Sequence, residues 1–205
     1  MINQVIKSTT KYNLQKNESE ENIMTRIQPL EPQQANGKTK ELYEAVKKKM
    51  GSIPNLIKTL GRAPAALETY LNMGQALGQG VLGPKVREQI ALAVGETNEC
   101  EYCISAHSAI GKMVGLEDDE IVRSRRVSCT NPKTDALLKF AQRIVKKRGQ
   151  VTDEDMREVR EAGNTDEEII ETIAHTAMNI FTNYFNHVAG TRVDFPKAQP
   201  LEKVA

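Results

Sequence analysis

One helical rhythm runs through this chain, with no second pattern to compete with it. From Gly37 to Ala189 apolar residues recur at three- and four-residue spacings, and glycine or proline interrupts them repeatedly. "KTKELYEAVKKKMG" spaces Leu42, Ala45, Val46 and Met50, and Gly51 stops it. "IPNLIKTLGRAP" predicts a short helix between Pro54 and Gly61. "PAALETYLNMGQALGQG" carries Ala66, Leu67, Tyr70, Leu71 and Met73 and runs into glycines. "GPKVREQIALAVGE" opens with Pro84 in a first turn, where a missing N–H costs nothing, and lines up Val86, Ile90, Ala93 and Val94. No segment alternates at period 2, so the expected fold class is all-α, a compact helical bundle.

The second half of the chain is equally well punctuated. "LEDDEIVRSR" reads as a short helix. Asn131 and Pro132 start another, with Leu137, Phe140, Ala141, Ile144 and Val145 on one face and Lys146, Lys147 and Arg148 at its negative end. Thr152 opens the next. Thr165, with Glu168 completing a capping box, opens a long one to about Ala189. That last helix is apolar around most of its circumference after Ile169, which predicts that it is the central buried one.

Composition narrows the function classes. Lys plus Arg is 28 and Asp plus Glu is 27, a net charge of +1, which argues against a nucleic-acid surface. Tryptophan is absent and aromatics are 4%, so the core has to be aliphatic. No apolar run is long enough for a membrane span, and the N-terminus lacks a secretory pattern. The expectation is a cytoplasmic protein. Residues 1–35 are polar and read as disordered or as an extended arm, with Met24 a candidate alternative start. The helical domain is expected over 36–195, followed by a tail over 196–205.

Three cysteines do not suit a disulfide-stapled secreted protein. Two of them sit with a histidine in "ETNECEYCISAHSAIGKMVG". Asn98 has the chemistry of an N-cap, and Glu101 would close a capping box, which predicts Cys100 in the first helical turn. There the free N–H groups and the dipole would lower a thiol pKa. Cys103 follows one turn later and His107 four residues beyond, all on one face. If the preceding helix folds back, Glu88 can face them and raise the basicity of the imidazole. Two other readings stand beside a redox pair. One is half a zinc site, although structural zinc usually takes two such pairs and Cys129, His175 and His187 have no ligand spacing. The other is two inert packing cysteines.

Glu88, then eleven residues, then "CEYCISAH", resembles the Glu-x11-Cys-x2-Cys-x3-His pattern of the AhpD-like alkylhydroperoxidases, within the carboxymuconolactone decarboxylase superfamily. The resemblance runs from about Thr25 to Phe195. "NIFTNYFNHVAG" followed by "VDFP" is similar to the end of the peroxidase-related branch. The resemblance implies an AhpD-like helical bundle, a homo-oligomer (trimer or hexamer) and thiol-dependent alkyl hydroperoxide reduction, an antioxidant activity. It implies that Cys103 attacks the peroxide, Cys100 resolves, His107 and Glu88 relay the proton, and a dithiol or thioredoxin-like partner reduces the pair. No cofactor or metal is implied. The dipole argument alone favours Cys100 as the acidic, more exposed thiol, whereas the resemblance favours Cys103. Some relatives carry histidine directly before the second cysteine, where this chain has Tyr102. A disulfide-switched sensor is the alternative class. Decarboxylation of a muconolactone is disfavoured, because members with that activity generally lack the cysteine pair.

Tyr102, Asn183 and His187 are candidate pocket residues, the last two sharing a helix with Asn186, where buried polar groups must find partners. His175 reads as a satisfied core histidine, Cys129 as a surface or interface thiol, and Tyr70 and Met73 as core. The "VKKKM" and "IVKKRG" runs read as solvated helix ends.

Overall fold

A computed structural model describes residues 25–201. The expectation of disorder before residue 25, the alternative start at Met24 and the last four tail residues lie outside the described residues. The described chain folds into nine α-helices with no strand: α1 (Gly37–Met50), α2 (Asn55–Leu60), α3 (Pro64–Leu77), α4 (Pro84–Thr97), α5 (Glu101–Met113), α6 (Asp118–Arg125), α7 (Pro132–Lys146), α8 (Asp153–Glu161) and α9 (Asp166–Ala189). The all-α class is the one expected.

Local chemistry sets the boundaries. Asn131 accepts hydrogen bonds from the Lys133 and Thr134 N–H groups, while Thr152 and Thr165 form capping boxes with Asp155 and Glu168. Gly51 and Gly190 end α1 and α9 in the left-handed conformation that glycine adopts without strain.

The central helix is α4, and the expectation for α9 is overturned. Seven consecutive residues of α4, Gln89 to Gly95, are buried, and α5, α6, α7 and α9 all pack against it. Ile90, Leu92 and Val94 are each 0% exposed, and burying such side chains stabilises the fold by about 1.5–3 kcal/mol apiece. Helix α9 turns its apolar side outward. Ile170, Ile173, Phe181, Tyr184 and Val188 are exposed, whereas Thr172, His175, Thr176, Asn179, Thr182, Asn183 and Asn186 are buried. A helix that buries its polar stripe and shows solvent its apolar one has to be accounted for by what each face does.

Two extended segments strap the bundle. Residues 25–35 have one 3-10 turn at Pro32–Gln34. The Arg26 and Ile27 N–H groups donate to the Ala189 carbonyl, and the Leu30 N–H donates to the Lys58 carbonyl. The Tyr43 hydroxyl sits between the Leu30 and Lys58 carbonyls, holding this arm to α2. At the other end, Asp194 accepts from the Asn55 N–H and the Tyr102 hydroxyl, the Ala198 N–H donates to Ser105, and Arg125 donates to the Gln199 carbonyl. The C-terminal segment is thereby drawn across the starts of α2 and α5.

Candidate active site

The turn between α4 and α5 builds the site. The Cys100 N–H donates to the Gly95 carbonyl and the Glu99 N–H to the Glu96 carbonyl, closing α4 with a Schellman motif. Glu99 takes the left-handed position, φ 55°, that such a closure requires. The chain reverses within three residues and α5 begins at Glu101. Asn98 therefore ends α4 and does not cap α5, as the sequence had suggested. The N-cap is Cys100, whose sulfur accepts from the Cys103 N–H at 3.4 Å.

The helix-start N–H that reaches a sulfur is thus taken by Cys100. Cys103 occupies the first turn of α5. The expectation that Cys100 is the more acidic and exposed thiol is overturned. Both cysteines are buried, at 1% and 2% exposure, and their unbonded sulfurs lie 2.9 Å apart. The Cys103 pKa is lowered to about 6. The hydrogen bond from the Cys100 thiol is the largest cause, the His107 charge and the Asn186 and Asn183 amides add to it, and burial opposes them. The Cys100 pKa moves the other way, raised first by serving as that donor and then by burial. Ionisation of the pair thus falls on Cys103, with Cys100 holding the proton.

Glu88 is where the helix reversal was expected to bring it. Its Oε2 lies 2.7 Å from His107 Nδ1. Burial pulls the His107 pKa down, but the charge and hydrogen bond of Glu88 and the charge of Cys103 outweigh it, leaving the imidazole above its ordinary value. With Nδ1 on the carboxylate, Nε2 is the ring nitrogen free to exchange a proton near the sulfur.

Helix α9 supplies the other wall. Asn186 Nδ2 donates to Cys103 Sγ at 3.3 Å, and the Thr182 hydroxyl lies 4.0 Å from the same sulfur. Asn183, fully buried, accepts at Oδ1 from Asn98 Nδ2 at 2.8 Å. Tyr70, expected in the core, is half-buried and packs beside the cysteine cluster, its pKa raised to about 12 by burial and then by the charges of Cys103 and Glu88. Its ring lies 6.3 Å from that of Phe181.

Three side chains differ from their expected roles. The Tyr102 hydroxyl accepts from the Leu56 N–H, donates to Asp194, and its ring meets Phe195 edge-on at 5.8 Å, so it anchors the C-terminal strap. His187 is exposed, with Nε2 3.4 Å from the Glu99 carbonyl, outside the sulfur pocket. His175 is buried but not satisfied, since its Nε2 has no hydrogen-bond partner among the described residues, and burial, then Arg87, holds its pKa down. Cys129 is half-buried and accepts from Gln89. Among the described residues no group of three or more His, Cys, Asp or Glu could hold a metal ion.

The sequence reading did not find Thr182, and it misassigned Asn98. The signal for the α9 wall was available in the polar residues at 172, 175, 176, 179, 182, 183 and 186, which share one helical face.

The strained turn carries its own prediction. Glu99→Gly is expected to raise stability by about 0.5–1 kcal/mol, because glycine reaches positive φ without the Cβ penalty. Thermal denaturation followed by circular dichroism would show it as an upward shift. A drop in melting temperature would mean that the Glu99 side chain makes a stabilising contact that outweighs the strain.

The sequence and the fold are similar to those of known proteins. A model of the carboxymuconolactone decarboxylase family matches residues 64–143, α3 to within α7, the span that holds Glu88, Cys100, Cys103 and His107. An uncharacterized protein of Haemophilus influenzae is 43% identical over 70 residues, 34% of this chain; the chain spans only 57% of that relative's length. An uncharacterized peroxidase-related protein from Ralstonia eutropha, described as an alkylhydroperoxidase AhpD core, superposes with a TM-score of 0.76 at 26% identity, covering 83% of this chain and 93% of that one. A peroxidase-related protein from a Silicibacter species gives 0.71 at 22% identity, covering 81% and 91%. The debrominase Bmp8, as a cysteine-to-alanine variant with 2,3,4-tribromopyrrole, gives 0.72 at 19% identity over 83% and 92%, a likeness of fold alone.

Proposed function

We propose that this chain, whose fold and central segment are similar to those of AhpD-like members of the carboxymuconolactone decarboxylase superfamily, is a thiol-dependent alkyl hydroperoxide reductase. The observation that carries the reading is the geometry of the pair: the two sulfurs lie 2.9 Å apart, the Asn186 amide donates to Cys103, and His107 on the same helix is held by Glu88 at 2.7 Å.

The Cys103 thiolate attacks the outer oxygen of R–O–O–H. The S–O bond forms, the O–O bond breaks, and the alkoxide leaves with a proton from His107, whose charge Glu88 supports. Cys103 is then a sulfenic acid. The Cys100 sulfur displaces its hydroxyl, the S–S bond forms, and water leaves with the Cys100 proton. A dithiol or thioredoxin-like partner gives two electrons and two protons to the disulfide, returning Cys100 and Cys103 to their starting state. Such a partner fits a cytoplasmic location, where thiols are kept reduced.

Steady consumption of a hydroperoxide with excess dithiol tests the reading. The burial of both thiols also favours a second one, a disulfide-switched sensor closed to large reductants. One equivalent of peroxide consumed without recycling would favour the switch over turnover, and conversion of a muconolactone would replace both.

The exposed apolar stripe of α9 supports assembly into a homo-oligomer, a trimer or a hexamer. Ile170, Ile173, Phe181, Tyr184 and Val188 follow one another at helical spacing along the face, the pattern of a helix that seats against a partner. Replacing Ile173 and Tyr184 together by lysine is expected to convert the oligomer to monomer in sedimentation, with helicity retained. A wild-type chain that sediments as monomer would remove the proposal.

A further inference from the structure

The polar stripe that α9 buries has no structural explanation of its own. Asn183 is 0% exposed and Asn186 is 4% exposed. A buried amide without full hydrogen bonding costs about 1–3 kcal/mol for each group left unmade. Asn183 Nδ2 and Asn186 Oδ1 are both buried without a partner that meets hydrogen-bond geometry. A helix chosen for packing alone would place leucine or alanine at these positions.

We propose that Asn183 and Asn186 form a sulfur-anion hole that fixes the negative charge of the pair on Cys103, with Asn98 as the positioning residue that aims Asn183. This rests on the proposed thiol chemistry and deepens it by naming what selects the attacking sulfur.

The geometry is directional. A thiolate only accepts hydrogen bonds, so the amide nitrogen of Asn186, 3.3 Å from Cys103 Sγ, is the end that serves it. Asn183 is oriented from behind. Asn98 Nδ2 donates to its Oδ1 at 2.8 Å, which leaves Nδ2 as the end that can serve the sulfur. Charge on Cys103 is favoured by both amides, whereas charge on Cys100 is favoured by Asn186 alone, so Asn183 is the amide that discriminates between the sulfurs. The Thr182 hydroxyl, near the sulfur, donates its proton to the Asn179 carbonyl at 3.0 Å and so cannot donate it to the thiolate. The titratable groups around Cys103 are Cys100 at the start of α5, His107 and Tyr102 on α5, Glu88 on α4 and Tyr70 on α3. Helix α9 adds His175, which interacts with Arg87, Glu171 and Glu88, and His187, which lies on the Glu99 carbonyl, but what it presents to the sulfur itself is two neutral amides. Neutral donors in a buried site stabilise a charge without titrating themselves, so the preference persists while His107 gains and loses its proton. Asn98 ends α4, three residues before the first turn of α5, so the same reversal that sets Cys103 at the helix start also sets the aim of Asn183.

The test follows ionisation rather than turnover. In full-length chain carrying Cys129→Ser, the pH dependence of iodoacetamide modification is measured, with the alkylated residue mapped by mass spectrometry. The parent is expected to react at Cys103, with a midpoint well below that of a free thiol. Asn186→Ala and Asn183→Ala are each expected to move the midpoint up by about one pH unit, and Asn186→Asp further. Asn98→Ala, on another helix and half-exposed, is expected to move it up by about half as much. An unchanged midpoint in folded Asn186→Ala would overturn the hole, as would an unchanged midpoint in Asn98→Ala if the α9 variants do not fold. The readout separates the two proposals. Raised midpoints in a chain that reduces no peroxide keep the hole and lose the reductase. Unmoved midpoints in an active chain do the reverse.

Discussion

Cys103→Ser is expected to reduce dithiol-dependent hydroperoxide consumption to the uncatalysed rate, a loss of at least about 1,000-fold. The reason lies in how far the site has to move a pKa. The Cys100 thiol, the His107 charge and two amides together bring a buried thiol to about 6. The same surroundings cannot ionise an alcohol, whose proton is held far more tightly. Serine fits the space but offers no nucleophile. Cys100→Ser is expected to behave differently. It leaves attack possible and stops resolution, so one equivalent of peroxide is consumed in a burst and intact-mass measurement finds a single added oxygen. Reversed behaviour of the two variants would exchange the roles of the sulfurs. Unchanged steady turnover in Cys103→Ser would end the catalytic reading.

Much of the fold was legible because its helices are bounded by residues with one dominant conformational preference. Thr152, Thr165 and Asn131 cap where their side chains reach free N–H groups, and Gly51 and Gly190 stop where the chain turns left-handed. The start of the cysteine helix was not legible for the same reason in reverse. Asn98 and Glu101 have the chemistry of a capping box, but the reversal is made by Glu99, a residue with no preference for positive φ. Nothing local marks it; the fit of α4 against α5 selects it. The burial of α9 was misread because apolar content around a helix does not say which side faces in. Its polar stripe and its apolar stripe have the same period, and what decides between them is the sulfur on one side. Glu88 and His107, by contrast, were legible, since once α4 and α5 are antiparallel around a three-residue turn their spacings from Cys100 bring them to one level.

Glu88→Gln is expected to lower kcat/KM at neutral pH by about 100-fold and to narrow the pH profile from both sides. In the native chain burial favours neutral His107, and the carboxylate 2.7 Å away, helped by Cys103, reverses that preference. The amide of glutamine carries no charge to do so. Burial then prevails, the imidazole gives up its proton at lower pH, and the alkaline limb, which needs protonated His107 for the leaving alkoxide, moves down. The acid limb moves up, because a Cys103 thiolate that loses the neighbouring positive charge is harder to form and its pKa climbs from about 6. Steady-state rates against pH, on saturating dithiol, read both limbs. Glu88→Asp separates charge from shape. It keeps the negative charge one methylene further from the ring, so the limbs should return most of the way while the rate returns only in part. If Glu88→Gln lowers the rate with both limbs in place, Glu88 shapes the pocket and does not hold the proton, and the relay has to be sought elsewhere, first at Tyr70.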